Sequence, residues 1–282
     1  MKVVNHLLEG IPFIPSPNMS GFITPTGAIM HYTAGWTAAS AIKTLTSSAA
    51  KVSAHLVIDR NGSIVQLVPF NRAAWHAGPS AWNGRNGCNN FTIGFEFVNP
   101  GYFRIGKNGE IMDWEGKQAL SAERLKGYDL SIRAPDKRIG GGNFIWPAYT
   151  DAQIEAGLQA LAAIERHYDL TFVTGHENID TRGWKTDPGD AFPMSRFQAV
   201  VHGSPVGDGD RSDGMTPLKS RMTVNTPRLN VRDKPNSVTG RVVTVLAGGS
   251  EVIVLEDIGD WSRVQYAPGK EGWLADKYLK KG

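Results

Sequence analysis

A single cysteine, Cys88, stands in a chain of 282 residues. No internal disulfide can form, and no cysteine cluster is there to hold a metal. Long apolar runs are missing too: none approaches the roughly 18 residues that a membrane span needs, so no membrane insertion is expected. The first residues, Met1-Lys2-Val3-Val4-Asn5-His6, lack the apolar core of a secretory signal. The expectation is a protein made in the cytoplasm that would reach a cell wall by release or by a dedicated export route. Charge of one sign is scarce, with 30 Lys and Arg against 27 Asp and Glu. No dense Lys/Arg stripe is interleaved with aromatics, which argues against a nucleic-acid partner. No internal repeat is evident, and a monomer is expected.

What is present is ordinary globular material, 41% hydrophobic and 20% charged. The length suits one large domain and one small one. From Lys219 onward, 11 Lys and Arg face 7 Asp and Glu, whereas the preceding residues carry 19 against 20. A mildly basic tail fits an anionic surface such as cell wall, and equally a solvated basic face. The sharpest composition shift is Gly203-Ser204-Pro205-Val206-Gly207-Asp208-Gly209, where Gly, Pro, Ser and Asp crowd out apolar residues. Three regions follow: a first domain over 1–202, a linker over 203–222 and a small domain over 223–282.

In the first region strands and helices alternate. Residues 28–33 and 92–98 read as strands, and 40–45 as a helix. Residues 53–59 and 63–68 read as a hairpin around Asn61-Gly62. Thr150 and Gln153 form a capping box at the start of a helix over 150–168. Residues 172–174 make a short strand running into His176. Hairpins mixed with helices predict an α/β, mixed α+β domain whose central mixed sheet is flanked by helices. Residues 101–146 lose periodicity and read as an insertion shaping a groove or as a variable surface loop. Beyond the linker, short β-rich runs separated by turns predict a small all-β barrel.

Candidate chemistry concentrates at a few positions. In Ile29-Met30-His31-Tyr32-Thr33, alternation sets His31 on the face opposite Met30 and Tyr32. A second histidine, His176, precedes Lys185-Thr186-Asp187-Pro188 by about ten residues. Each alone reads as a packed or turn residue. Together, two histidines and a carboxylate form a three-ligand set that leaves tetrahedral zinc one open position, the mark of a catalytic site. In Thr92-Ile93-Gly94-Phe95-Glu96-Phe97, Gly94 and Glu96 share the face away from Ile93, Phe95 and Phe97. A carboxylate in so apolar a strand is costly to bury without a partner or a task, and a general base is the functional reading. Lys185 can stabilise an oxyanion.

Several segments carry a resemblance: Met30-His31-Tyr32-Thr33-Ala34-Gly35, Ser53-Ala54-His55-Leu56-Val57-Ile58-Asp59, Trp75-His76-Ala77-Gly78, Thr92-Ile93-Gly94-Phe95-Glu96 and residues 176–187. In that order they resemble the zinc-dependent N-acetylmuramoyl-L-alanine amidases, the type-2 amidase and peptidoglycan-recognition-protein family. The resemblance spans about 27–197, with 101–146 poorly covered. It implies zinc held by His31, His176 and Asp187, with Glu96 as base and Lys185 at the oxyanion. It also implies that His55, Trp75 and His76 line a substrate groove. Some relatives carry a tyrosine where Ala54 stands, so Glu96 is the better base here.

Leu229-Asn230-Val231-Arg232, Trp261-Ser262-Arg263-Val264 and Glu271-Gly272-Trp273-Leu274 resemble bacterial SH3-like wall-targeting domains. The two resemblances imply hydrolysis of the amide between N-acetylmuramic acid and L-alanine, with peptidoglycan as partner and wall degradation, as by an endolysin, as the result. A non-catalytic peptidoglycan receptor and a zinc peptidase acting on wall peptides are the alternatives.

Overall fold

The computed structural model describes residues 1–140, 142–201, 220–235, 240–258, 261–267 and 270–281. The chain divides into two compact units, Met1–Gly203 and Ser204–Gly282. Most of the expected linker lies outside the described residues.

The first unit is built on β1 (Gly27–Tyr32), α1 (Ala38–Leu45), β2 (Leu56–Ile58), β3 (Ile64–Gln66), β4 (Thr92–Phe97), α2 (Asp151–Tyr168), β5 (Phe172–Gly175), the one-turn α3 (His176–Ile179) and α4 (Met194–Val201). The five strands form one sheet in the order β5-β1-β4-β2-β3. β1, β4, β2 and β5 run parallel, and β3 returns antiparallel to β2, so the sheet is mixed. The β2–β3 hairpin turns at Asn61-Gly62, as expected.

Alternation assigns the two faces of the sheet to different neighbours. Ala28, Met30, Leu56, Ile58, Ile93, Phe95, Phe97 and Val173 form one apolar core with Ile154, Ala160, Leu161 and Ile164 of α2 and Phe197 of α4. Helix α2 starts at the capping box, in which Thr150 and Gln153 satisfy each other's backbone N–H groups. It lies close to the sheet because Gly157 has no side chain: a Cβ there would stand 2.7 Å from the Phe97 ring. On the other face Val57 packs with Leu45, Ala54, Leu67, Val68, Ala74 and Val98, against Ala38, Ala41 and Ile42 of α1.

Residues 101–146 are less irregular than their sequence suggests. They hold two short antiparallel pairs, Arg104–Ile105 with Ile111–Met112 and Ile132–Pro135 with Asn143–Trp146, and a one-turn helix, Ala122–Leu125. Tyr102, Phe144 and Trp146 bury a small core of their own.

The second unit is all β: β6 (Ser220–Val224), β7 (Arg228–Arg232), β8 (Val242–Ala247), β9 (Glu251–Ile258), β10 (Trp261–Ala267), β11 (Lys270–Ala275) and β12 (Leu279–Lys281). They make one antiparallel sheet ordered β8-β7-β11-β10-β9-β6-β12 around Val224, Leu229, Val231, Val252, Val264 and Leu274. Strand β6 begins inside the stretch read from sequence as linker, because its Ser220-Arg221-Met222-Thr223 carries no clear alternation.

Candidate active site

Strand register brings the site together. In the parallel β1–β4 pair, Glu96 lies directly beside His31, and both leave the sheet on the face away from α2. In the β1–β5 pair, Gly175 lies beside Met30, so His176, the next residue, emerges level with His31. Asp187 arrives from the following loop. Its carbonyl accepts the backbone N–H of Glu177, which ties the loop back to α3.

Three atoms then converge. His31 Nδ1 is 2.8 Å from Asp187 Oδ2 and 3.0 Å from His176 Nδ1, and His176 Nδ1 is 3.0 Å from Asp187 Oδ2. All three residues are buried, and they are the one group of metal-competent side chains among the described residues. Burial lowers the His31 pKa to about 4, against the opposing pull of the Asp187 carboxylate. Burial also pushes the Asp187 carboxyl upward, but the close approach of the His176 and His31 rings outweighs this and holds it well below the usual range. His176 Nε2 donates to the carbonyl of Ala77 at 3.2 Å, which leaves Nδ1 of the neutral ring as a lone pair facing Asp187. A neutral imidazole nitrogen beside a carboxylate suits a divalent cation, and the N,N,O donor set fits zinc.

Glu96 is half-buried, and its Oε2 is shielded without a hydrogen-bond partner among the described residues. Burial, then the Asp187 charge, raises its pKa well above the usual value, while Lys185 pulls the other way. The Lys185 charge acts on His31 as well, so the ammonium sits within the field of both residues. Its backbone is fixed by a residue that sequence reading missed. Asp180 Oδ2 accepts the N–H groups of Trp184 (3.1 Å) and Lys185 (3.3 Å), and its Oδ1 pairs with Arg182 at 2.8 Å.

A family model of N-acetylmuramoyl-L-alanine amidases matches residues 22–190, and one of bacterial SH3 domains matches residues 227–280. The chain belongs to the N-acetylmuramoyl-L-alanine amidase family. The 1,6-anhydro-N-acetylmuramyl-L-alanine amidase AmpD of Salmonella typhimurium strain LT2 is 37% identical over 157 residues, covering 54% of this chain and 58% of its own. The N-acetylmuramoyl-L-alanine amidase AmiD of Escherichia coli K12 is 41% identical over 81 residues, covering 26% of this chain and 28% of its own. The chain thus spans less than two thirds of the curated relatives it matches. A crystal structure of a selenomethionine AmpD derivative shares the fold, with a TM-score of 0.50 at 26% identity over 71% of this chain and 99% of that one.

Within this amidase fold, five expected residues gather around one point: His31, His176, Asp187, Glu96 and Lys185. Of the three expected at a groove wall, His55 and His76 lie in the interior and Trp75 is half-buried. His55 is fully buried; its Nε2 donates to the carbonyl of Arg72 and its Nδ1 accepts the N–H of Gly94, so neither nitrogen is left for a ligand. His76 is buried as well and packs between His31 and Thr92. Trp75 is half-buried and donates its indole N–H to Ser20. The alternation of β4 set Gly94 on the Glu96 face, but nothing in the sequence showed that His76 would meet it there or reach Thr92. Ala54 is buried in the apolar cluster that packs against α1. Past the end of β1, a cavity of about 530 Å³ is lined by Ala34 and Trp36 together with Phe103, Trp114 and Arg124 of the 101–146 segment.

Proposed function

We propose that this chain is a zinc-dependent amidase that cleaves the bond between the lactyl group of N-acetylmuramic acid and L-alanine in peptidoglycan. The observation that carries the reading is the convergence of His31 Nδ1, His176 Nδ1 and Asp187 Oδ2, with Glu96 beside His31 in the sheet register. His31, His176 and Asp187 would hold the zinc, which when bound would supply Lewis acidity and bring the pKa of a water molecule toward about 7. Glu96 takes the proton from the attacking water and passes it to the departing amine. Burial raises its basicity, the direction a general base needs. Lys185, held at its backbone by Asp180, faces the oxyanion that develops at the carbonyl.

The identity to AmpD supports the muramyl–alanine bond as the target. The bacterial SH3 match of the second unit supports attachment to the wall, and so intact peptidoglycan as the substrate, degraded after release or export. The 101–146 segment would then shape the groove beside the metal, with Trp114, 59% exposed, on its wall.

Mass spectrometry of peptidoglycan digested with and without a zinc chelator tests this. Chelator-sensitive release of peptides that begin at L-alanine is expected. Undigested peptidoglycan that retains the protein would make it a binding module, and cleavage within the peptide would make it a peptidase.

A further inference from the structure

The two histidines of the site lean on one short segment. Asn89 Oδ1 accepts the backbone N–H groups of His76 (3.0 Å) and Ala77 (2.8 Å) and so fixes that segment. The His76 ring then stands against His31, and the Ala77 carbonyl stands against His176. Room for the His76 ring exists because β4 has a glycine at that height: a Cβ on Gly94 would be 2.5 Å from the ring.

Proton positions along this chain follow from its last acceptor. A carbonyl oxygen can only accept, so the Thr92 hydroxyl donates to Cys88 O at 2.7 Å. With its hydrogen committed there, Thr92 Oγ1 accepts from His76 Nε2 at 3.3 Å. The neutral His76 ring then has a lone pair on Nδ1, which accepts from His31 Nε2 at 3.0 Å. The neutral His31 ring in turn has its lone pair on Nδ1, directed at Asp187 and His176.

We propose that Thr92 and His76 are positioning residues that hold His31 in its Nε2–H tautomer and thereby present Nδ1 to the metal, while Asn89 serves His176 in parallel through the Ala77 carbonyl. The inference rests on the zinc reading of the site. Orientation of a ligating histidine through its second nitrogen is a general device, and loss of such a partner typically weakens metal binding about 10- to 100-fold. Here the device is a relay of two side chains that ends on a backbone carbonyl. His76 therefore acts behind the metal and does not touch substrate.

The test is the zinc dissociation constant, measured by competition with a chromophoric chelator, of the wild-type protein, Thr92→Val and Thr92→Ser, with the melting temperature of each. Thr92→Val keeps the shape and removes the hydroxyl, so zinc binding is expected to weaken roughly tenfold. Thr92→Ser restores the hydroxyl and is expected to restore affinity. Equal affinity in wild type and Thr92→Val overturns the relay, as does equal weakening in both variants. A wild-type protein that binds no zinc overturns the metal site itself and the relay with it. Long-range ¹H–¹⁵N spectra of zinc-loaded wild type decide the point even where Thr92→Val fails to fold. His76 protonated at Nε2 is the expected tautomer, and protonation at Nδ1 contradicts the proposal.

Discussion

The two faces of strand β4 differ in what burial achieves. On one, Ile93, Phe95 and Phe97 meet α2 and α4 in an apolar core. On the other, Thr92, Gly94 and Glu96 meet histidines: Thr92 holds His76, Gly94 makes room for it, and Glu96 lies beside His31. The first face supplies stability, because each large apolar side chain removed from water contributes about 1.5–3 kcal/mol. The second gives stability up, because a shielded carboxylate oxygen without a partner costs free energy unless it has a task. The contrast marks the site without reference to any relative. The second unit sharpens it: its core of valines and leucines resembles the first face, and no metal-competent group occurs there among the described residues.

Substitutions on the two faces should therefore fail in different ways. The largest effect is expected from Asp187→Ala, which removes one of the three proposed ligands and the only carboxylate among them. Zinc affinity should fall by more than the roughly 100-fold that loss of an outer partner brings, with turnover lost alongside; metal content after dialysis checks this. Glu96→Gln should lower kcat about 10²- to 10⁴-fold while zinc is retained and the melting temperature is unchanged or higher. Phe95→Ala, one residue away on the other face, should reverse that pattern. It should destabilise the fold by about 3–5 kcal/mol in urea unfolding, with zinc affinity of the folded protein unchanged.

The smallest effect is one of pH. Burial depresses the His55 pKa from 6.5 to about 4, so between these values the unfolded chain binds a proton that the folded one does not. The contribution of His55 to stability is therefore full above pH 6.5 and is lost as pH falls toward 4. Glu177 works the other way: burial raises its pKa from 4.5 to about 8, so its contribution declines as pH rises through that window. His55→Gln removes only the first dependence. In wild type the two oppose each other between pH 6.5 and 4.5, so the variant's unfolding midpoint should rise relative to that of wild type as pH falls from 6.5 to 4.

Much of the sheet was legible because period-2 alternation is a local property. It placed His31 opposite Met30 and set Glu96 apart from Phe95, and the Asn61-Gly62 turn and the Thr150 capping box are equally local. What escaped depends on pairing across long separations. Met19–Phe22 pairs with Arg72–Ala74, and β6 pairs with β9 and β12, yet none of these short runs carries a clear period of its own. The burial of His55 and His76 arises where three separate segments meet, so a groove position and an interior one look alike in sequence. Asp180 reads as a turn residue until the loop closes and Trp184 and Lys185 donate to it.

Zinc content and product release measured together on wild type, Asp187→Ala and Glu96→Gln test the central claim most directly. The account predicts stoichiometric zinc and release of L-alanine-initiated peptides by wild type, neither by Asp187→Ala, and zinc without release by Glu96→Gln. Undiminished release by Glu96→Gln would contradict it.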